Sequence, residues 1–313
     1  MPFWKNGGPT LASSPATRST AMPRGRAWLL AARIPTLPAA VAPVLVGTAA
    51  GARSAPFQVW PFLAALVAAL SIQVATNLAN DAFDFLRGAD TSRRRGPRRV
   101  TQSGLLSARQ VLTGAYVAIG IACLAGVYLV ALRGWPLLVV GALSIASGLA
   151  YTGGPWPLGY HGLGEVFVFV FFGVLAVTGS AYVQTGTVSG VALAASVPVG
   201  LLVTAILVLN NLRDIETDRA AGKRTLAVRM GPGATRALYV ACLLGAATGP
   251  GLLRAAGLAG KWFWLPWLLL PVLFWLARVA LRQTEASVLN AALRVTAMTL
   301  LIYGALFAVS LLW

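Results

Sequence analysis

Charge is scarce in this sequence. Only 11% of its 313 residues are Asp, Glu, Lys or Arg, against 58% apolar ones, where an average soluble domain carries about 25% and 45–50%. Mean hydropathy is +0.75, and the balance excludes an ordinary soluble enzyme and makes lipid the expected solvent. Acid is scarcer still, with eight carboxylates against 25 Lys and Arg and a formal net charge of +17. In a soluble protein that excess reads as a nucleic-acid partner. Here a membrane surface accounts for it, and no nucleic acid is expected. Cysteine is limited to Cys123 and Cys242, both inside apolar runs, so neither a disulfide framework nor a metal-thiolate site can be built. Both read as small core residues.

What the chain has in abundance is apolar runs near the roughly 20 residues a bilayer crossing requires. Nine are expected to cross, at 34–51, 59–82, 109–132, 135–152, 164–184, 188–212, 235–254, 262–281 and 289–312. No strand-like alternation interrupts them, so all are expected to be helices. With the N-terminus placed in the cytoplasm, only Arg53, Arg133, Arg254 and Lys261 among the 25 basic residues fall on external loops and edges. That bias sets the orientation, because Lys and Arg are retained on the cytoplasmic side. Residues 1–27, rich in Ser, Thr, Pro and Arg and free of acid, read as a basic cytoplasmic tail ahead of a single transmembrane domain over 28–313. A cleaved signal peptide fits less well, since the apolar run that follows is long and contains several prolines.

The few acids are not scattered. Six of the eight form two clusters, Asn77-Leu-Ala-Asn80-Asp81-Ala-Phe-Asp84 continuing to Asp90, and Asn210-Asn211-Leu-Arg213-Asp214-Ile-Glu216-Thr-Asp218. Asn80 to Asn210 and Asp84 to Asp214 are each 130 residues apart, with four spans per period, which predicts a duplicated four-helix unit. On a helix Asn80 and Asp84 are i and i+4, as are Asp214 and Asp218, so each cluster lines its oxygens along one face. Both clusters close their spans at the cytoplasmic edge, where like charges repel and each carboxylate is costly to insert. A bound cation relieves both effects. Oxygen-only donors point to a hard divalent ion, and Mg²⁺ commonly takes one or two carboxylates and fills its sphere with water and substrate phosphate.

Beside each cluster lies a basic loop. The first carries Arg87, Arg93, Arg94, Arg95, Arg98 and Arg99, and the second Arg213, Arg219, Lys223, Arg224 and Arg229. Guanidinium forks and ammonium groups bind phosphate oxygens, so acids holding Mg²⁺ and bases beside them can clamp a diphosphate from two sides. For Arg93, Arg94 and Arg95 contact with anionic lipid or setting of the orientation is the expected role. Lys223 and Arg224, close behind Asp218, are assigned to the substrate. A diphosphate at the mouth of an apolar bundle calls for a greasy tail, and a polyprenyl diphosphate has one. Ionising its C1–O bond leaves an allylic cation that an aromatic face can steady, and Tyr151, closing the fourth span, is the candidate.

These residues resemble the UbiA superfamily of intramembrane aromatic prenyltransferases. Within it, Asn80-Asp81-x-x-Asp84-x5-Asp90-Thr91, Gly96-Pro97-Arg98-Arg99, Gln102-Ser103-Gly104, Asn210-Asn211-x-Arg213-Asp214-x3-Asp218 and Gly222-Lys223-Arg224-Thr225-Leu226 are similar to the 1,4-dihydroxy-2-naphthoate polyprenyltransferase subgroup. The segment Tyr151-Thr152-Gly153-Gly154-Pro155 is similar to the loop that precedes that subgroup's fifth helix. The resemblance implies an all-α bundle of nine transmembrane helices in the plasma membrane, its active site facing the cytoplasm. It implies Mg²⁺-dependent transfer of an all-trans prenyl chain to 1,4-dihydroxy-2-naphthoate with loss of the carboxylate, giving demethylmenaquinol for menaquinone synthesis. By analogy Asp84, Asp214 and Asp218 hold metal with Asp81 beside them, and Asn80, Asn210, Arg87, Lys223 and Arg224 contact the diphosphate. Two departures stand out: Gly88 occupies the place of a frequent third acid, and Arg33-Ile34-Pro35-Thr36 replaces the subgroup's Arg-Pro-Lys-Thr. Glu165, where an Asp is common, is read either as orienting the acceptor or a basic side chain, or as structural. His161 is not needed as a base, because decarboxylation can restore aromaticity. Against this reading stand a related enzyme with a different aromatic acceptor and, in a different class, a secondary transporter, whose acids belong near the midplane.

Overall fold

Hydrocarbon offers no partner to a backbone N–H or C=O, so a chain with these apolar runs must satisfy them internally. The computed structural model describes residues 22–89, 95–97 and 99–313 and is helical with no strand among them. Ten helices follow in order: α1 Arg24–Ala32, α2 Pro38–Ala52, α3 Val59–Leu86, α4 Ala108–Arg133, α5 Trp135–Ala150, α6 Gly164–Thr185, α7 Gly190–Ala220, α8 Leu226–Ala255, α9 Leu265–Arg282 and α10 Ala286–Leu312. By length and composition seven described helices, α3, α4 and α6–α10, can cross a membrane. An eighth crossing results if α2 and the segment Arg24–Thr36, bent by 49°, count as one. The expected crossing at 135–152 is α5, which has 16 residues, or about 24 Å of helix against a hydrocarbon layer of about 30 Å.

Several expected boundaries move. Helix begins at Arg24, inside the segment expected to be tail, while residues 1–21 lie outside the described ones. Helix α1 buries Ala27 and Ala31 and exposes Trp28, Leu29 and Leu30. Helices α3 and α7 continue past their apolar runs to Leu86 and Ala220, which carries both acid clusters on helix. Helix α8 opens with a short turn broken at Gly231 (φ 78°), nine residues after Gly222. Of the two cysteines only Cys242 is buried. Cys123 is exposed on α4, where Leu124 and Val127 are exposed as well; this face is apolar because lipid covers it.

Without a hydrophobic drive between helices in lipid, close backbone approach holds them together, and small residues permit it. Helix α2 is the centre, with 11 of its 15 residues buried. Its Gly47 lies against the Val177 carbonyl of α6, its Ala42 against Gly304 of α10, and Gly173 of α6 against Gly200 of α7. The α6 contact lies in a π-helical turn, Phe169–Leu175. Helix α3 packs along α4, and α7 along α8. At one end of the bundle Arg53 donates to the Leu258 and Leu311 carbonyls at 3.0 and 2.9 Å. Arg133 donates there to Val183 and Gln184 at 2.8 and 2.7 Å. The acid clusters lie at the other end.

Candidate active site

All seven described carboxylates belong to that other end: Asp81 and Asp84 close α3, Glu165 opens α6, Asp214, Glu216 and Asp218 close α7, and Glu285 precedes α10. Midplane acids, the mark of the transporter reading, are absent among the described residues. Asp84 is the hub. It is 2% exposed, and an unpartnered carboxylate so deep is strongly disfavoured. Three donors from three segments compensate it: Arg99 at 3.2 Å on Oδ2, and the Tyr160 hydroxyl at 2.7 Å and Lys223 at 3.1 Å on Oδ1. Lys223 follows α7, so this ion pair ties the loop after the second cluster to the first cluster. In the reverse direction Arg95, from the loop after the first cluster, pairs with Glu216.

Asp81 has a different task. One turn of α3 short of Asp84 and 1% exposed, it accepts the backbone N–H groups of Thr101 and Val100 at 3.1 and 3.3 Å. Its carboxylate thus seats the turn that carries Arg99, a contact the sequence reading, which assigned Asp81 to metal, did not foresee. In the second cluster, Arg213 forks onto both oxygens of Asp214 at 2.8 and 2.5 Å. The same guanidinium reaches Asn210 at 2.8 Å and Asn290 of α10 at 2.5 Å. Asn290 in turn donates to the Arg95 carbonyl at 3.1 Å, so α3, α7 and α10 are stitched together at this end.

The loop between α5 and α6 crosses between the two clusters. Thr152 donates to Asn80 at 2.7 Å, and Arg87 to the Gly154 carbonyl. Tyr160 lies under Lys223, whose Nζ is 4.6 Å from its ring centroid, with Arg87 at 5.6 Å. Its carbonyl accepts the Arg224 backbone N–H at 2.9 Å. Tyr151, just past α5, packs against Gly159 and Gly164, where a Cβ would come within 2.9 Å of its ring and 2.8 Å of its hydroxyl. Burial and then the charges of Glu165, Asp84 and Asp218 push its phenol pKa up, with Arg33 opposing, so it is a neutral phenol. Of these carboxylates Asp84 belongs to the first cluster and Asp218 to the second. His161 stacks on Trp156 at 4.2 Å and bonds the Pro157 carbonyl through Nδ1 at 2.8 Å, which gives it a loop-shaping role. Glu165 pairs with Asn211 at 2.9 Å, not with a basic side chain.

The site therefore brings together Asn80, Asp84, Tyr151 and Lys223, while Asp214, Asp218 and Asn210 lie on α7, joined to this group through Lys223. Arg87 and Arg224 are exposed at its rim. Asp90, Arg93, Arg94 and Arg98 lie outside the described residues. Sequence reading missed Tyr160, Thr152 and Asn290, and gave Arg99 and Arg213 no individual role. It began the first cluster at Asn77 and missed that the polar row runs one turn further back on α3 to Gln73, 11 residues before Asp84, with Asn77 and Gln73 bonding Thr36 at 2.9 and 3.2 Å. That spacing, helical and continuous with the cluster, was a signal. Among the described residues no group of three or more His, Cys, Asp or Glu side chains is placed to hold a metal ion. The donor chemistry fits Mg²⁺ nonetheless: hard carboxylate oxygens at the ends of α3 and α7 suit an ion that takes only one or two from protein and the rest from phosphate and water.

A family model described as the UbiA prenyltransferase family matches residues 40–312. The 1,4-dihydroxy-2-naphthoate octaprenyltransferase of Mycobacterium tuberculosis is 43% identical over 248 residues, 74% of this chain and 85% of that one. The Escherichia coli protein of the same name is 36% identical over 294 residues, 92% and 96% of the two chains. Among solved structures, an apo UbiA homologue from Aeropyrum pernix K1 matches with a TM-score of 0.68 at 19% identity, over 87% of this chain and 97% of that one. A UbiA homologue from Archaeoglobus fulgidus bound to GPP and Mg²⁺ matches with a TM-score of 0.62 at 12% identity, over 90% and 99%.

Proposed function

The chain belongs to the UbiA prenyltransferase family, and from that premise we propose that it transfers a polyprenyl group from its diphosphate to 1,4-dihydroxy-2-naphthoate. The carboxyl group is lost and demethylmenaquinol and diphosphate are formed, a step of menaquinone synthesis. Relatives in two distant bacteria carry that activity in their names at 36% and 43% identity. The observation that carries the mechanistic reading is the Lys223–Asp84 ion pair, which joins the two acid clusters and their basic loops into one polar mouth on an apolar bundle.

In this reading Asp84, Asp214 and Asp218 hold Mg²⁺. The ion supplies neutralisation of the charge that develops on the departing diphosphate. Asn80, Asn210, Lys223, Arg87 and Arg224 bind and orient the diphosphate oxygens, while the tail lies among the helices. The C1–O bond breaks with its electron pair going to diphosphate, and the neutral Tyr151 ring faces the allylic cation. The ring carbon that bears the carboxylate then bonds C1. Departure of CO₂ returns an electron pair to the ring, so no strong base is required.

The topology is nine crossings, with α5 as a short one, built on a repeated four-helix unit. The equivalent packing of α3 on α4 and of α7 on α8 supports the repeat. Arg53, Arg133, Arg254 and Lys261 mark the outer face of the plasma membrane, and the acid end faces the cytoplasm. The test is to supply the protein in lipid nanodiscs with an all-trans prenyl diphosphate, the naphthoate and Mg²⁺. Demethylmenaquinol is then sought by mass spectrometry, and released diphosphate is measured. Product is expected with Mg²⁺ and none with excess chelator. Full turnover in chelator, or in Asp84→Ala or Asp214→Ala protein that is still inserted, overturns the mechanism.

A further inference from the structure

Three of the acids at the site already have basic partners of their own. Asp214 has Arg213, Glu216 has Arg95, and Asp84 has both Arg99 and Lys223. For Asp84 to reach a metal ion one of its cations must leave, because a third positive charge on the same carboxylate is repelled by the two present. The two cations are not equally free to go. Arg99 is 7% exposed at its side chain and is carried by the turn that Asp81 seats, while Lys223 is 13% exposed. Lys223 places a point charge at the end of a flexible four-carbon stem. Its backbone is pinned, since Lys223 N–H donates to the Asp218 carbonyl and Arg224 N–H to Tyr160, both at 2.9 Å. The loop thus stays in place while the ammonium swings. Tyr160 supplies the track: its hydroxyl remains on Asp84 Oδ1, and its ring face lies under the ammonium.

We infer that Lys223 is a resident counter-ion that holds the metal's place on Asp84 until a prenyl diphosphate arrives, and then exchanges Asp84 for a phosphate oxygen. Tyr160 is the positioning residue for that exchange. The inference rests on the diphosphate reading above and goes beyond it by fixing an order. Divalent metal alone binds weakly, because Lys223 competes for Asp84. Diphosphate draws the ammonium away and opens the carboxylate, so metal and diphosphate bind with positive coupling that passes through one side chain.

The experiment reads binding without turnover. Mn²⁺ is titrated into the full chain in nanodiscs and followed by electron paramagnetic resonance, with and without an unreactive geranyl thiolodiphosphate. In the wild type the analogue is expected to tighten Mn²⁺ binding by tenfold or more. Lys223→Met should bind Mn²⁺ alone about tenfold more tightly than wild type, bind the analogue about tenfold more weakly, and lose most of the coupling. Lys223→Arg, which keeps the charge, should restore the competition, and Lys223→Gln serves if the Met variant does not fold. Tyr160→Phe should weaken the competition while leaving the ring in place. Unchanged or weaker binding of Mn²⁺ alone in Lys223→Met, with coupling intact in the wild type, overturns the exchange and leaves the functional reading standing. If the analogue does not promote Mn²⁺ binding even in the wild type, both are overturned.

Discussion

Replacing Asp81 by Asn separates an anchoring carboxylate from a metal-binding one. The native side chain is 1% exposed and accepts two backbone N–H groups, at 3.1 and 3.3 Å, from the turn carrying Arg99. Asparagine keeps one acceptor oxygen but turns an NH₂ group toward the other N–H. One charge-assisted hydrogen bond is lost, about 1.5–3 kcal/mol, and a buried donor is left without a partner. Both bonds are at the long end of the normal range, so the lower part, roughly 1.5–2 kcal/mol, is expected for Asn and about 3 kcal/mol for Ala. In a thermal melt of detergent-purified protein that corresponds to a fall of roughly 2–4 °C per kcal/mol for a domain approaching this size. Maximal turnover should drop, because Arg99 loses its seat beside Asp84. The Mg²⁺ concentration for half-maximal diphosphate release should stay within about twofold, since no metal donor has been removed. A rise in that concentration of about tenfold at unchanged thermal stability would place Asp81 on the metal and refute the anchor.

Tyr151 is held neutral by burial and by three nearby carboxylates, so its ionisation should contribute no inflection to turnover between about pH 6 and 9, where even an ordinary phenol stays protonated. Tyr151→Phe should retain most activity, and Tyr151→Leu should lose about 2- to 30-fold in turnover if the ring face steadies a cation by roughly 0.5–2 kcal/mol. Arg99→Met leaves the buried Asp84 one cation short, and breaking such a pair costs about 3–5 kcal/mol. A melting curve within error of wild type would exclude that role. Gly47→Ala places a Cβ 2.1 Å from the Val177 carbonyl oxygen, whereas Gly126 on α4 has nothing within 4 Å. Overpacking the first should cost about 1–3 kcal/mol, and Gly126→Ala should be neutral or slightly stabilising in the same melt.

The helices and the acid end were legible in the sequence for one physical reason. Lipid leaves little freedom in what an apolar run can do, and a carboxylate in such a run is too costly to be incidental. The i, i+4 spacing of Asn80 with Asp84 and of Asp214 with Asp218 needed only that α3 and α7 stay helical past their apolar windows, which they do. What was not legible depends on where loops return. Nothing in the run of arginines after Asp84 distinguishes Arg99, which is buried against that carboxylate, from Arg95, which reaches α7. Asp81 looked like a ligand because its neighbour does; only the return of residues 99–105 reveals that backbone N–H groups occupy it. Tyr160 sits between Gly159 and His161 with no periodicity to mark it, and its contacts span 76 residues in one direction and 63 in the other. The length of α5 was misjudged because Tyr151 and Thr152 continue an apolar window although the helix ends at Ala150.

The pairing of acids with bases also bears on how the protein reaches its membrane. In a closed structural metal site the ligands repel one another until the ion arrives, so binding energy is folding energy and a chelator unfolds the protein. Here Asp84 and Asp214 are each neutralised by side chains of the same chain, drawn from α7, from the turn after α3 and from the loop after α7. Folding and insertion are therefore expected to need no metal, and under the proposed function each bound ion would compete with an internal ammonium or guanidinium instead of filling a void. Such a site gives up affinity for free metal in return for stability without it. Under the proposed exchange the lost affinity would be recovered when a polyanion takes the displaced base, and selectivity for a diphosphate would reside as much in the cations relocated as in the carboxylates that receive the ion.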